Sequence, residues 1–120
     1  MKGIVLFAHG ARDPAWAEPF RRLQEIVAAQ QKTETVALAF LEFMPPTLAE
    51  AVAAMLTVNV RDICIVPLFL GPGAHFRHDF PLLLDALRRQ YPQVVFRSTS
   101  VVGDSEAILH AIADWIARSI

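Results

Sequence analysis

The stretch ICIVPLFLGPGAHFRHDFPLLLDAL, residues 63–87, contains one complete strand, turn and helix. It begins with an aliphatic run that lacks polar alternation, which is typical of a parallel strand covered on both faces. A Gly-Pro-Gly turn follows at residues 71–73, and leucines then recur at helical spacing. Because proline favours a helix start, the pattern predicts that this helix begins near residues 79–81.

The same organisation recurs along the whole chain. The predicted strands are residues 3–8, 36–40, 63–68 and 94–96. The first predicted helix follows Asp13-Pro14, and the second begins at the capping box from Thr47 to Glu50. The third and fourth are predicted to begin near residues 79–81 and 104–105. If Pro19 does not kink the first turn of the first helix, the helix proper begins there.

This alternation of strands and helices predicts an α/β fold. We expect an open four-stranded parallel sheet with right-handed crossovers and helices on both faces. The expected strand order is the flavodoxin-like order 2-1-3-4, within a single domain spanning residues 1–120.

Composition predicts a subunit interface. The chain has 120 residues, of which 54% are hydrophobic, a high fraction for a soluble monomer. No apolar run approaches the roughly 18 residues that a membrane span needs, so we expect the surplus of hydrophobic residues to cover a subunit interface. The second helix is apolar on nearly every side, so we expect it to be buried on more than one face. The fourth helix carries one apolar stripe of Ile108, Leu109, Ile112, Trp115 and Ile116.

The charge of the chain argues against a nucleic-acid-binding protein, and its cysteine content excludes a protein stabilised by an intrachain disulfide. The net charge is −1 without a basic block, which argues against a nucleic-acid partner. The single cysteine, Cys64, excludes an intrachain disulfide, and we expect it to be a packed core thiol. The N-terminus MKGIVLF lacks a signal-peptide pattern, so a cytoplasmic location is expected.

Three polar residues follow the first three predicted strands. His9 follows strand 1, Glu42 follows strand 2 and His75 follows strand 3. Open α/β sheets bind ligands at the carboxyl ends of their strands, at the point where the strand order reverses. In the order 2-1-3-4 this crevice lies between strands 1 and 3, so we expect His9 and His75 to face one cavity.

Each of these residues also has a purely structural interpretation. A histidine after a strand is often a hydrogen-bonded loop residue, and Glu42 is equally an ordinary strand-end carboxylate. His78 fits a surface position on the third helix, and Arg12 and Arg77 either neutralise an anionic ligand or are simply solvated. No phosphate-binding P-loop, serine-hydrolase elbow or histidine-phosphatase arginine accompanies them.

Three motifs together resemble a known family. The motifs are HGARDP at residues 9–14, FLEFMPP at residues 40–46 and PLFLGPGAHFRHDFP at residues 67–81. In this order they resemble the sirohydrochlorin chelatases of the CbiX/SirB type, within the class II chelatases, over nearly the whole chain. One departure is Ala11, where the family commonly has serine.

The resemblance implies an enzyme that inserts a divalent metal into sirohydrochlorin without ATP. Cobalt insertion leads to cobalamin and iron insertion to siroheme, and nickel is a third candidate. The expected order is cobalt, then iron, with no cofactor beyond the substrate metal ion. Short members of the family work as homodimers, so the expected partners are the tetrapyrrole, the metal and a second copy of the chain. The family's active-site histidines fall on His9 and His75, and its acidic residue falls on Glu42.

The chemistry of metal insertion suits these side chains. Neutral imidazole binds Co²⁺, Fe²⁺ and Ni²⁺ and accepts a proton near pH 7, which the pyrrole nitrogens must release. We therefore assign His9 and His75 as metal ligands and proton acceptors, with Glu42 as a third ligand or base. The candidates for substrate binding are Arg12, Arg77, His78, Gly71 and Gly73, and ring contacts are expected from Phe40, Phe43, Phe69 and Phe76.

Two other functions remain open at this point. One is a flavodoxin-like module that carries a metal or tetrapyrrole without catalysis. The other is an interaction domain in which the histidines are structural.

Overall fold

The computed structural model of the chain describes residues 2–32 and 34–120. It contains four strands and four α-helices in strict alternation, with two short 3₁₀ turns. The strands are β1 (Lys2–Ala8), β2 (Thr35–Phe40), β3 (Asp62–Pro67) and β4 (Val95–Ser98). The helices are α1 (Glu18–Gln30), α2 (Leu48–Thr57), α3 (Ala74–Gln90) and α4 (Glu106–Ser119). The 3₁₀ turns are Pro14–Ala17 before α1 and Val102–Asp104 before α4.

The four strands form one parallel sheet in the order β2-β1-β3-β4, which confirms the predicted topology. In the register, Leu6 of β1 lies between Leu38 of β2 and Val66 of β3. Because all strands run in the same direction, their carboxyl ends meet at one edge of the sheet.

At the opposite edge Arg97 on β4 pairs with Asp62 on β3 at 3.0 Å, and this carboxylate raises the pKa of the Arg97 guanidinium.

The core has two layers, one on each face of the sheet. On one face α2 and α3 cover the inward side chains of all four strands, including Val5, Ile63, Ile65 and Phe96. On the other face α1 and the turn before it pack on β1 and β2, around Leu6 and other aliphatic side chains. Helices therefore lie on both faces, as predicted, although the second face is covered less completely than the first.

The helix starts follow the local sequence. Asp13 accepts a hydrogen bond from the Ala15 N–H (2.9 Å) at the first 3₁₀ turn, and α1 proper begins at Glu18, with Pro19 in its first turn. The capping box at α2 is confirmed by reciprocal bonds between Thr47 and Glu50 of 2.9 and 3.1 Å. Such boxes satisfy N–H groups that would otherwise lack an acceptor.

The predicted start of the third helix is wrong. Helix α3 begins at Ala74, after the extended Gly73, and runs through Pro81 in its interior. Proline at this position removes only its own bond to the carbonyl of Arg77, so the helix continues past it. His75 and His78 therefore lie on the first two turns of a helix and not in a loop.

Two expectations about burial are also wrong within the chain. Helix α2 buries only one face, and Val58 at its end is exposed. Cys64 is only half-buried, because it lies on the face of β3 that α1 does not reach. None of the helices in the described part of the chain has the length and apolar character that crossing a bilayer requires.

Candidate functional site

The candidate site lies at the edge of the sheet where the strands end. Beyond β2, the Leu41 N–H donates to the carbonyl of Ala8, and beyond β3 the Leu68 N–H donates to the carbonyl of Phe7, each at 2.8 Å. These bonds extend the parallel pairing past the strands. They hold the residues that follow, His9 and Glu42 among them, at the same edge.

Gly10 joins the loops after β1 and β2. A Cβ atom at this position would collide with the carbonyl oxygen of Glu42, so only glycine permits the observed approach of the two backbones. The collision involves backbone and not a flexible side chain, so it cannot be relieved by a rotamer change. The contact fixes His9 and Glu42 as near neighbours in space.

An aromatic chain connects His9 to the start of α3. The His9 ring lies 4.3 Å from the centroid of Phe69, and Phe69 meets Phe76 edge-on at 4.7 Å. Both phenylalanines are buried, so they form a rigid support beneath the exposed imidazole. On its other side, the Trp16 indole N–H donates to the His9 carbonyl at 2.7 Å. The position of His9 is therefore set by packing and by one backbone bond.

Glu42 and His75 line one groove of about 400 Å³. The complete lining is Leu41, Glu42, His75, Asp79, Leu82 and Leu83. His9 is not part of this lining, although it lies on the same edge of the sheet. The groove thus combines two of the three predicted site residues with apolar walls, as ligand pockets commonly do.

His75 is paired with Asp79 one turn further along α3. Its Nε2 atom lies 3.0 Å from an Oδ2 oxygen, at i,i+4 spacing. When Nε2 donates its proton to the carboxylate, the lone pair of Nδ1 remains available for a metal or a proton. A carboxylate behind an imidazole is the usual way in which proteins orient a metal-binding histidine. Asp79 is not among the predicted site residues, because the predicted helix begins near residues 79–81 and leaves His75 in the preceding turn. The His-x-x-x-Asp spacing becomes informative once α3 is seen to begin at Ala74.

Across the described residues, no three His, Cys, Asp or Glu side chains are placed together as a metal site. His9, His75 and Glu42 therefore do not form a closed three-ligand cage in one chain. A metal held here by one or two of them would keep open coordination positions, which a metal that must be passed on requires.

The predicted substrate-binding residues have varied positions. The Arg12 guanidinium lies over the Phe43 ring, 5.2 Å from its centroid. Phe43 itself is 59% exposed and has a positive φ of 70°, an uncommon conformation for a bulky residue. Arg77 and His78 are exposed on α3 but do not line the groove.

The glycines of the turn are not required by packing. A Cβ at Gly71 or Gly73 would meet nothing within 4 Å. Their predicted role in admitting a ligand close to the backbone thus stays a prediction.

A second, larger groove runs along β2 between α1 and α2, with a volume of about 520 Å³. Its only charged lining residues are Arg21 and Glu50, and it contains no histidine. The smaller groove at the strand ends is therefore the better candidate for metal chemistry.

Comparisons with known proteins identify the family of the chain. Residues 3–119 match the CbiX family. The chain is 37% identical over 84 residues to the sirohydrochlorin cobaltochelatase of Saccharolobus solfataricus, a match that covers 70% of this chain and 64% of that protein. The corresponding enzyme of Methanopyrus kandleri is 36% identical over 84 residues, with 70% and 59% covered. The chain thus spans less than two thirds of the length of these curated relatives.

Solved structures show the same fold. A crystal structure of a CbiX protein from Marinobacter aquaeolei VT8 superposes with a TM-score of 0.88 at 29% identity, covering 99% of this chain and 94% of that one. The chelatase SirB from Bacillus subtilis subspecies spizizenii, solved in complex with cobalt, superposes with a TM-score of 0.83 at 23% identity. That match covers 98% of this chain but 50% of SirB, so the fold found here corresponds to about half of the longer protein.

Proposed function

The chain belongs to the CbiX family, and from this membership we propose that it is a cytoplasmic sirohydrochlorin chelatase that inserts a divalent metal without ATP. Cobalt is the proposed metal, because the curated relatives are named cobaltochelatases. Iron is second, since a structure of SirB from Bacillus subtilis contains Fe³⁺, and nickel is third. The proposed product serves cobalamin or siroheme synthesis.

The observation that carries this proposal is the shared groove of Glu42 and His75, with His9 held beside Glu42 at the same edge. Imidazole nitrogen and carboxylate oxygen are suitable ligands for Co²⁺ and Fe²⁺. They are also proton acceptors, and metal insertion releases two protons from the pyrrole nitrogens. One small set of residues thus serves both requirements of the reaction.

In the proposed mechanism, His75 receives the metal through Nδ1 while Asp79 holds its Nε2. His9 supplies the second imidazole, and Glu42 acts as a further ligand or as the base for a pyrrole proton. Because one chain provides no closed cage among its described residues, the bound metal keeps water that the macrocycle nitrogens can replace. General-base assistance of this kind typically contributes about 10²–10⁴-fold to a rate.

Arginine and histidine side chains around the edge suit a substrate that carries many carboxylates. Arg12, Arg77 and His78 are exposed there and are the proposed partners of those carboxylates. The N-terminus of α3, which begins at Ala74, adds N–H groups that favour negative charge. The exposed ring of Phe43 is the proposed contact for the flat face of the macrocycle.

We also propose that the enzyme is a homodimer. One sheet edge offers a single wall to a wide, flat substrate, and a second copy related by a two-fold axis supplies the other wall. The half-length match to SirB supports this arrangement, because that chain is long enough to hold two such units.

Turnover separates a chelatase from a carrier that binds the same ligands. The test is metallation of sirohydrochlorin by Co²⁺ under anaerobic conditions, followed by absorbance, with and without the purified protein. A chelatase at catalytic concentration converts many equivalents of substrate faster than the spontaneous reaction. Stoichiometric binding of the tetrapyrrole with an unchanged metallation rate would establish the carrier instead.

A further inference from the structure

The two histidines of the candidate site are held in different ways. The imidazole of His75 has a carboxylate behind it, because Asp79 lies 3.0 Å from its Nε2 atom. The imidazole of His9 differs: within residues 2–32 and 34–120, no side chain or carbonyl is hydrogen-bonded to either of its ring nitrogens. Metal-binding histidines usually depend on such a bond to fix the orientation of the ring. A different contact therefore has to orient His9.

The side chains that follow His9 in its loop do not supply this contact. The Arg12 guanidinium lies over the Phe43 ring. The Asp13 carboxylate accepts a hydrogen bond from the main chain of the 3₁₀ turn that it caps. Ala11 has no hydroxyl to offer. The group that orients His9 therefore lies further along the chain.

Trp16 makes the one side-chain hydrogen bond to His9 in the described part of the chain. Its indole Nε1–H donates to the His9 carbonyl at 2.7 Å, which is shorter than the usual N···O distance of about 2.9–3.0 Å. The carbonyls of Phe7 and Ala8 accept bonds from the neighbouring segments, so the His9 carbonyl is the first acceptor beyond the sheet. The indole thus fixes the main chain where it leaves the sheet.

His9 lies between two rows of aromatic rings on opposite faces of the sheet. On the face covered by α1, the Trp16 ring centroid lies 5.7 Å from that of Phe20, and Phe20 meets the buried Phe40 edge-on. On the other face the His9 ring packs against Phe69 at 4.3 Å. The first row therefore holds the carbonyl of His9 and the second holds its imidazole. Only side-chain torsions separate these two contacts, so together they restrict the direction of the ring.

The local sequence places the indole for this bond. The Trp16 main-chain N–H donates to the Asp13 carbonyl at 3.0 Å, and Pro14 begins the turn with a φ angle that suits a 3₁₀ helix. Trp16 remains 44% exposed, so burial alone does not account for so large a side chain. A phenylalanine ring could also pack on Phe20, whereas only the indole nitrogen can donate to the His9 carbonyl.

We propose that Trp16 is a positioning residue for His9, whose main chain it holds so that the imidazole keeps one direction toward the metal. The inference rests on the role of His9 in the proposed function. Trp16 serves His9 as Asp79 serves His75, but it acts through the main chain and not through the ring. Loss of the bond should weaken metal binding and metal insertion while leaving tetrapyrrole binding unchanged.

The first test examines the bond itself and does not depend on activity. The chain has two tryptophans, and Trp16→Phe identifies the indole signal of Trp16 in a ¹H–¹⁵N NMR spectrum. A hydrogen-bonded proton exchanges with D₂O only when its bond opens. We therefore expect the Trp16 indole proton to exchange at least about fivefold more slowly than that of free N-acetyltryptophanamide. Exchange at the rate of the free compound would overturn the proposal.

The second test removes the N–H and keeps the shape of the ring. In benzothienylalanine a sulfur atom replaces the indole N–H, and a Trp115→Phe background confines this analogue to position 16. Trp115→Phe with an ordinary Trp16 is the matched control, and circular dichroism establishes that both proteins are folded. We expect the analogue to lower kcat for Co²⁺ insertion about three- to tenfold, the effect of one hydrogen bond, with KM for the tetrapyrrole within about twofold. A normal kcat, or a change in KM alone, would contradict a positioning role.

Co²⁺ affinity without tetrapyrrole separates this inference from the proposed function. It is measured by competition with a chromophoric chelator for the control, the analogue protein, His9→Ala and the combination of the last two. The analogue should weaken binding in the control background and have no further effect once His9 is alanine. Normal affinity in the analogue protein would refute positioning even in an active chelatase. Weakened affinity in a protein without turnover would refute the chelatase and retain the positioning role.

Discussion

The Nε2 atom of His75 lies 3.0 Å from a carboxylate oxygen of Asp79, one turn further along α3. The pair is exposed and borders the groove that also contains Glu42. Since the carboxylate occupies Nε2, the proposed mechanism uses Nδ1 to bind the metal.

Replacing His75 by alanine should lower the metallation rate at least about tenfold, because general-base or ligand groups typically contribute more than that. The side chain is 75% exposed, so the free energy of unfolding should stay within about 0.5 kcal/mol of wild type. The rate is measured by absorbance and the stability by urea denaturation. His110→Ala is the matched control, since His110 is equally exposed and pairs with Glu106 on α4 at the same spacing. An unchanged rate in His75→Ala would remove this residue from the mechanism.

Asp79→Asn should reduce metallation less than His75→Ala does, because asparagine keeps an acceptor oxygen but lacks the charge. If Asp79 acts by orienting His75, its replacement should have no further effect when His75 is already alanine. The measurement is a double-mutant cycle on the insertion rate. Independent, multiplicative losses would mean that Asp79 acts on the substrate directly.

Gly10→Ala should destabilise the fold by about 1–3 kcal/mol, the usual cost of forcing an extra carbon into a packed site. The collision with the Glu42 carbonyl must move one strand-end loop away from the other. Gly71→Ala is the control, because its Cβ meets nothing within 4 Å and should change stability by less than about 0.5 kcal/mol. Urea denaturation compares the two variants. Equal stabilities of the two variants would show that the close contact at Gly10 does not hold the two strand-end loops together.

Glu42→Gln should lower the insertion rate while leaving tetrapyrrole affinity nearly unchanged. The amide keeps the size of the side chain but neither accepts a proton readily nor offers a charged ligand oxygen. Affinity is measured by fluorescence titration without metal, and the rate by absorbance. A loss of affinity with a normal rate would instead place Glu42 in substrate binding.

Much of the fold was readable from the sequence because its signals are local. Four aliphatic runs, the capping box at Thr47 and the Asp13 cap each have one strong physical cause, and the parallel topology follows from their alternation. The start of α3 was misplaced because proline usually marks a first turn, whereas Pro81 lies inside this helix. Local propensity does not reveal that the rest of a helix tolerates one missing bond.

The site was only partly predictable because its geometry depends on contacts between distant segments. His9, Glu42 and His75 were recognisable as strand-end residues, but the collision that makes Gly10 necessary involves a carbonyl 32 positions away. The half-exposure of Cys64 depends on which helix covers which strands, and the exposure of the apolar stripe on α4 does not follow from its periodicity. Amphipathic periodicity predicts that one face of a helix is apolar, but it does not predict what packs against that face.

The central claim is that His9 and His75 serve one metal-transfer event, and a double-mutant cycle on cobalt insertion tests it most directly. The rate of sirohydrochlorin metallation is measured for wild type, His9→Ala, His75→Ala and the double variant. The account predicts that each single change lowers the rate at least about tenfold and that the double variant is hardly slower than the worse single variant, because residues that act as a unit are strongly non-additive. Independent losses that multiply, or a normal rate in either single variant, would contradict it.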